Sequence, residues 1–254
     1  MTHSDSATLK NLRPNPFFTF LEVIGNLFWI LILLIIILRV FVYQQVQVDG
    51  LSMFPNYTDK EYLLMNQLDK NFHRGQVVAV FAHRKFANEV AHKMNPIQGY
   101  LARFDCNNPQ SRQEEECHAK FYLKRIIGLP GEEIEIVGGN VVIYNKENPQ
   151  GTVLVESYIP KTTFEQEETR SYYLPKTKIP EKEYFLMGDN RSNSMDSRAV
   201  GTFADYAIFG QENFRITPSI KTFDIPTYIY SPISDSVKEK LNLQKSSNLI
   251  VNPQ

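Results

Sequence analysis

The sequence is poor in the features that mark several large function classes. It has no basic stripe: 27 lysines and arginines stand against 28 aspartates and glutamates, for a net charge of −1. A phosphate backbone is met by clustered positive charge, so nucleic acid is not an expected partner. Cysteine is scarce, with two in 254 residues. The nearest histidine to either is His118, adjacent to Cys117, and no second ligand pair has zinc-like spacing, so no metal site is expected. The five histidines are His3, His73, His83, His92 and His118, and none sits in a recognisable catalytic setting. There is no internal repeat, no low-complexity tract and no strand–helix–strand alternation, which excludes a solenoid and a parallel α/β sheet.

One long apolar run is present. Residues 17–43 read as a transmembrane helix, with an uncharged centre from Val23 to Leu38 and with Glu22 and Arg39 near its ends. Pro14 and Pro16 mark a plausible start. A cleaved secretory signal would have a shorter apolar region and a small-x-small cleavage site; Arg39-Val40-Phe41-Val42-Tyr43 offers none, so a retained anchor is the reading. Lys10 and Arg13 precede the span and put residues 1–16 in the cytoplasm, with the remainder outside a cell membrane crossed once.

Beyond the anchor the pattern is that of a mostly β domain over residues 44–215. Short alternating runs cover Gln44–Val48, Glu61–Met65, Gln76–Phe81, Lys120–Ile127, Glu132–Val137, Asn140–Tyr144, Glu183–Met187 and Ala207–Phe209. Gly138-Gly139 between two of them signals a hairpin. An antiparallel sheet or partly open barrel is the expected fold. Residues 83–118 read as an insertion. They hold Cys106 and Cys117, which either close a short disulfide loop or stay as two thiols. Residues 216–254 read as an appendage or frayed tail with a polar helical stretch from Ser234 to Lys245.

Three clusters carry residues able to do chemistry. Ser52 follows Gly50 by two positions and precedes Pro55 by three, about ten residues past the span. A stiff turn of this kind either is ordinary or presents a hydroxyl with backbone N–H groups free to hold an oxyanion. Ten extended residues reach at most roughly 33 Å, so a nucleophile here works near a bilayer surface. Without a suitable histidine, its base must be a lysine whose charge is disfavoured by burial. Lys124, in Phe121–Ile127, is the candidate; alternation puts it and Arg125 on opposite faces, one toward a core and the other toward water. The plainer reading is an edge-strand lysine. The third cluster runs from Gly188 to Arg198 after Tyr184–Met187, an ordered loop in which Asp196 can pair with Arg198 and Ser194 can orient an amine.

Taken in order, VDGLSMFPNYTDKEYLLMNQL, RGQVVAVF, YLKRIIGLPGEEIEI and YFLMGDNRSNSMDSR resemble the bacterial type I signal peptidase family over roughly residues 20–215. The resemblance implies a serine endopeptidase without cofactors that removes signal peptides from exported preproteins and cuts after small residues at positions −1 and −3. It makes Ser52 the nucleophile, Lys124 the general base and Ser194 the residue that orients it. Asp196 and Arg198 become a supporting ion pair, with Asp189, Asn190 and Arg191 as further support. The Ser52 backbone N–H contributes to the oxyanion hole, and Gly50 stands where some members carry a hydroxyl donor. The expected partners are preproteins, the lipid bilayer and the export machinery nearby. Asn56 where Thr is usual, Ser192 where Asp is frequent, Ala199-Val200 before Gly201 and a long Ser52–Lys124 interval depart from the pattern. A pilus-type maturation peptidase of the same chemistry, or a non-catalytic membrane-anchored peptide-binding β-domain, are the alternatives.

Overall fold

The computed structural model describes residues 15–81, 121–160, 172–217, 220–222, 226 and 229–251. Helix α1 (Pro16–Ile37) starts where the Asn15 side chain accepts the Phe17 N–H and Pro16 supplies the pre-set first turn. A π-helical turn, Leu38–Val42, extends it. Together they form 27 residues that include an 18-residue window of mean hydropathy 2.7 with no buried residue, long and apolar enough to cross a membrane. At 1.5 Å per residue this is about 40 Å, against a hydrocarbon core of about 30 Å. Tyr43, expected as the last residue of the span, instead opens the first strand.

Two antiparallel sheets follow. The larger uses β1 (Tyr43–Gln47), β2 (Tyr62–Asn66), β3 (Val77–Phe81), β4 (Phe121–Gly128), β9 (Glu183–Met187), β10 (Phe203–Ala204), β11 (Ile208–Arg215) and β12 (Lys221–Thr222). Its order is β1-β2-β11-β3-β4-β9-β10, with β12 paired to β11, an open path that does not close on itself among the described residues. The smaller sheet has the order β13-β7-β6-β5-β8, built from β5 (Glu133–Val137), β6 (Asn140–Tyr144), β7 (Thr152–Val155), β8 (Tyr173–Lys178) and β13 (Ile229–Ser231). The β5–β6 hairpin forms as read, with Gly138 and Gly139 both at positive φ, as a two-residue turn of this hand requires.

Period-2 geometry then assigns the core. Ile134, Ile136, Val141 and Ile143 face the larger sheet and meet Ile127, Phe185 and Met187. Val137, Val142, Tyr144 and Val153 face the other way and are covered by Val237 and Leu241. Those two lie four apart on α3 (Asp235–Val251), so they share one helix face. Burying each contributes about 1.5–3 kcal/mol. The stretch read from sequence as an appendage therefore includes a helix with a packed face and a strand, β13, paired to β7. The insertion at 83–118, with Cys106 and Cys117, lies outside the described residues.

Candidate active site

The turn after β1 carries Ser52. Within it the Phe54 N–H donates to the Leu51 carbonyl at 3.1 Å and the Tyr57 N–H to the Met53 carbonyl at 3.0 Å. Met53 and Tyr57, each 1% exposed, pin the turn into the core while Ser52 stays half-buried at its surface. Gly50 enters the turn at φ +85°, and its N–H donates to Asp59 Oδ1 at 2.9 Å. A Cβ there would meet nothing within 4 Å, so position 50 needs glycine for its backbone and not for space. No described group accepts the Ser52 N–H.

Strand β4, between β3 and β9, brings Lys124 to this turn. Its Nζ is hydrogen-bonded to Ser52 Oγ at 2.9 Å, donates to the Leu123 carbonyl at 2.9 Å, and lies 5.2 Å from the centre of the Tyr122 ring. The residue is 2% exposed. Burial pushes the ammonium down to about 8, against the smaller opposing pull of the Asp196 and Asp189 carboxylates. His73, the one histidine among the described residues, is exposed and donates its backbone N–H to Gln76.

The loop from Gly188 to Arg198 closes the site. The Asn190 N–H donates to the Ser52 carbonyl at 3.0 Å, and its side-chain amide donates to the Leu51 carbonyl at 3.0 Å. The Gly188 N–H donates to Asp196 Oδ2 at 3.0 Å. Here glycine is needed for space: a Cβ on Gly188 would overlap both Ser194 Oγ and the Ser52 carbonyl. The expected Asp196–Arg198 pair is present, at 2.9 Å to Nε and 2.8 Å to NH2. Asp196 also caps the short helix α2 (Ser197–Val200). Burial pushes the Asp196 carboxyl up, but the Arg198 guanidinium and the Gly188 N–H together hold it below the usual carboxylate value. Ser194 sits against Gly188 with its Oγ buried beside the Asp196 carboxylate, which it also helps to hold below the usual value; Lys124 is not joined to it.

Arg125 does not face water. Alternation does turn it away from Lys124, but β4 is covered on both faces, and Arg125 is 3% exposed. Burial is tolerable because its donors are met: Nε and NH2 bind Asp189 at 2.8 and 2.6 Å, NH1 binds the Gly75 carbonyl at 2.8 Å, and the Tyr158 ring lies 4.2 Å below. Arg191 is held the same way by Glu156, through NH1 and NH2, while its Nε donates to the Gly188 carbonyl at 3.2 Å. Each of Arg125, Arg191 and Arg198 thus has its own carboxylate, and Lys124 is left with none at hydrogen-bond distance among the described residues.

Several contacts escaped the sequence reading. Glu156 and Tyr158, just past β7, tie the smaller sheet to the site: Tyr158 Oη donates to Glu156 at 2.5 Å, and its carbonyl accepts from Asn56 at 3.0 Å. Asn56 also donates to Asp189 at 2.8 Å, which gives that departure from the family pattern a role in joining the serine turn to the loop. The one signal for Glu156 was an acid directly following an apolar strand.

A family model described as signal peptidase, peptidase S26, matches residues 21–217. The chain belongs to that family. Signal peptidase I P of Bacillus subtilis subsp. natto is 29% identical over 211 residues, covering 76% of this chain and 87% of that protein. Probable signal peptidase I-1 of Synechocystis sp. is 26% identical over 206 residues, covering 81% and 87%. A crystal structure of a signal peptidase I from Enterococcus faecalis overlaps 56% of this chain and 96% of its own at 20% identity and a TM-score of 0.35, too low to add to the assignment. This S26 member is a type I signal peptidase, a serine endopeptidase whose activity is removal of signal peptides.

Proposed function

We propose that this peptidase cleaves membrane-tethered preproteins with Ser52 as nucleophile and Lys124 as general base. The observation that carries this is a buried amine of lowered basicity 2.9 Å from a hydroxyl. Neutral Lys124 takes the Ser52 proton as Oγ adds to the scissile carbonyl, and the Ser52 N–H stabilises the oxyanion. The ammonium then gives its proton to the leaving amine, which frees the mature protein and leaves an ester on Ser52. Lys124 next deprotonates a water that attacks this ester, and the signal peptide departs as its carboxylic acid. In the ammonium stage the Ser194 hydroxyl oxygen serves as an acceptor for Lys124, while Asp196 and Arg198 keep its loop in place.

Anchoring by α1, with residues 1–16 in the cytoplasm and the β domain outside, brings Ser52 to substrates held in the same bilayer next to the export machinery. Shallow subsites select small residues at −1 and −3. Cleavage of a preprotein by full-length chain in liposomes tests the reading. Substrates with alanine at −1 and −3 are cut at that bond, and substrates with leucine there are not. Efficient cutting of the leucine substrates would refute the specificity, and normal cutting by Ser52→Ala would refute the nucleophile.

A further inference from the structure

A second polar cluster lies beneath the serine turn, apart from the Asp189–Arg198 loop. Tyr57, the last residue of that turn, donates its Oη to Glu212 Oε2 on β11 in a short hydrogen bond. Both residues are buried, Glu212 at 5% exposure. Glu212 sits at a bulge in the pairing of β11 with β2, the kind of irregularity that re-aims a side chain. Arg215, from the same strand, stacks 4.2 Å over the Tyr57 ring and lies 3.8 Å from Glu61.

We propose that Glu212 is a positioning residue for the catalytic serine, fixing the Ser52 turn through Tyr57. The inference rests on Ser52 being the nucleophile. The backbone bond from the Tyr57 N–H to the Met53 carbonyl makes the turn and the phenol one unit, so holding Oη holds the residue next to Ser52. A shift of about 1 Å at a nucleophile costs on the order of 10²-fold in rate.

The charged and titratable groups facing Glu212 are Tyr57, Arg215, Arg125 and Glu61. Burial pushes its carboxyl up to about 7, against the pull of Tyr57, Arg215 and Arg125, with Glu61 adding to the push. Burial and Glu212 together raise the Tyr57 phenol well above its usual value, so it stays a donor. When Glu212 gains a proton it needs an acceptor. Tyr57 Oη can serve as one, and the bond between the two then passes from charge-assisted to neutral, with roughly half the strength, which loosens the hold on the serine turn.

The test is kcat against pH for cleavage of a preprotein by the purified full-length chain in detergent, comparing wild type, Glu212→Gln and Tyr57→Phe. For the wild type, log kcat rises with a slope of about 2 below pH 7, one proton from Lys124 and one from Glu212. Both variants lower this slope to about 1, and both lose on the order of 10²-fold in kcat at pH 9 with KM within about twofold. Unchanged slopes, or a loss of activity that only tracks loss of folded protein, would overturn the proposal. Ser52→Ala separates the two levels: if it still cuts, the nucleophile assignment fails; if it is inactive and the slopes do not change, only the role of Glu212 fails.

Discussion

Lys70 and Lys124 invite comparison, because burial pushes both ammonium groups down to about 8. Lys70 donates to the Ile208 and Phe209 carbonyls at 3.1 and 2.7 Å, and its side chain is otherwise exposed, so water screens much of that push. Lys124 has no such relief, and one of its two hydrogen bonds is to a hydroxyl. Lowered basicity alone therefore does not make a base. What differs is the neighbour that can give up a proton, and the loop that holds it there.

The largest effect that sharpens this contrast comes from Lys124→Met and Ser52→Ala. Each is expected to cut preprotein processing by at least about 10³-fold, while Lys70→Met stays within about threefold in the same assay. Equal losses at the two lysines would break the comparison. Next is Arg125→Met, which leaves the Asp189 carboxylate buried without its guanidinium. A destabilisation of about 3–5 kcal/mol is expected in denaturant unfolding, far above that of any change at Lys70. Gly188→Ala drives a methyl group against Ser194 and Ser52 and should lower kcat by about 10²-fold with little change in KM, as measured by steady-state cleavage.

The pH dependence is smaller. Because the folded Lys124 value lies below the ordinary lysine value, its neutral form is favoured by folding. That contribution is present above about 10.5 and is lost as pH falls through about 8. With Lys124 as the proposed base, its neutral fraction alone should raise activity about tenfold from pH 7 to pH 9. The same burial implies that Lys124→Met raises the thermal midpoint at pH 7 even though it abolishes cleavage, an exchange of stability for function. A lowered midpoint would show that the Lys124 charge is better accommodated than its surroundings indicate.

Local features were legible in the sequence. The β5–β6 hairpin declared itself because its strands and its turn are adjacent in the chain, and α1 because apolarity over its length needs no partner. The apolar run ends at Phe209, because Gln211, Glu212 and Asn213 are polar. The structure carries the strand on to Arg215, since β11 lies between β2 and β3 and Glu212 is satisfied by Tyr57, 155 positions away. Strand β8 was missed for a related reason: Pro175 and two lysines disguise an edge strand. Ser52, Lys124 and the loop each looked ordinary alone, and only their order suggested chemistry. Glu156 gave no such order, because its partner Arg191 comes from the loop that follows a strand of the other sheet. Long-range pairing of this kind leaves no period in a sequence.

The strand order of the larger sheet has a consequence for the birth of the molecule. β11 fills the place between β2 and β3, so these early strands cannot join until a segment near the far end of the chain has arrived. Contacts of such sequence separation form late in folding. During synthesis the Ser52 turn therefore waits beside an incomplete sheet, and the peptidase becomes competent only once nearly all of the chain has been made.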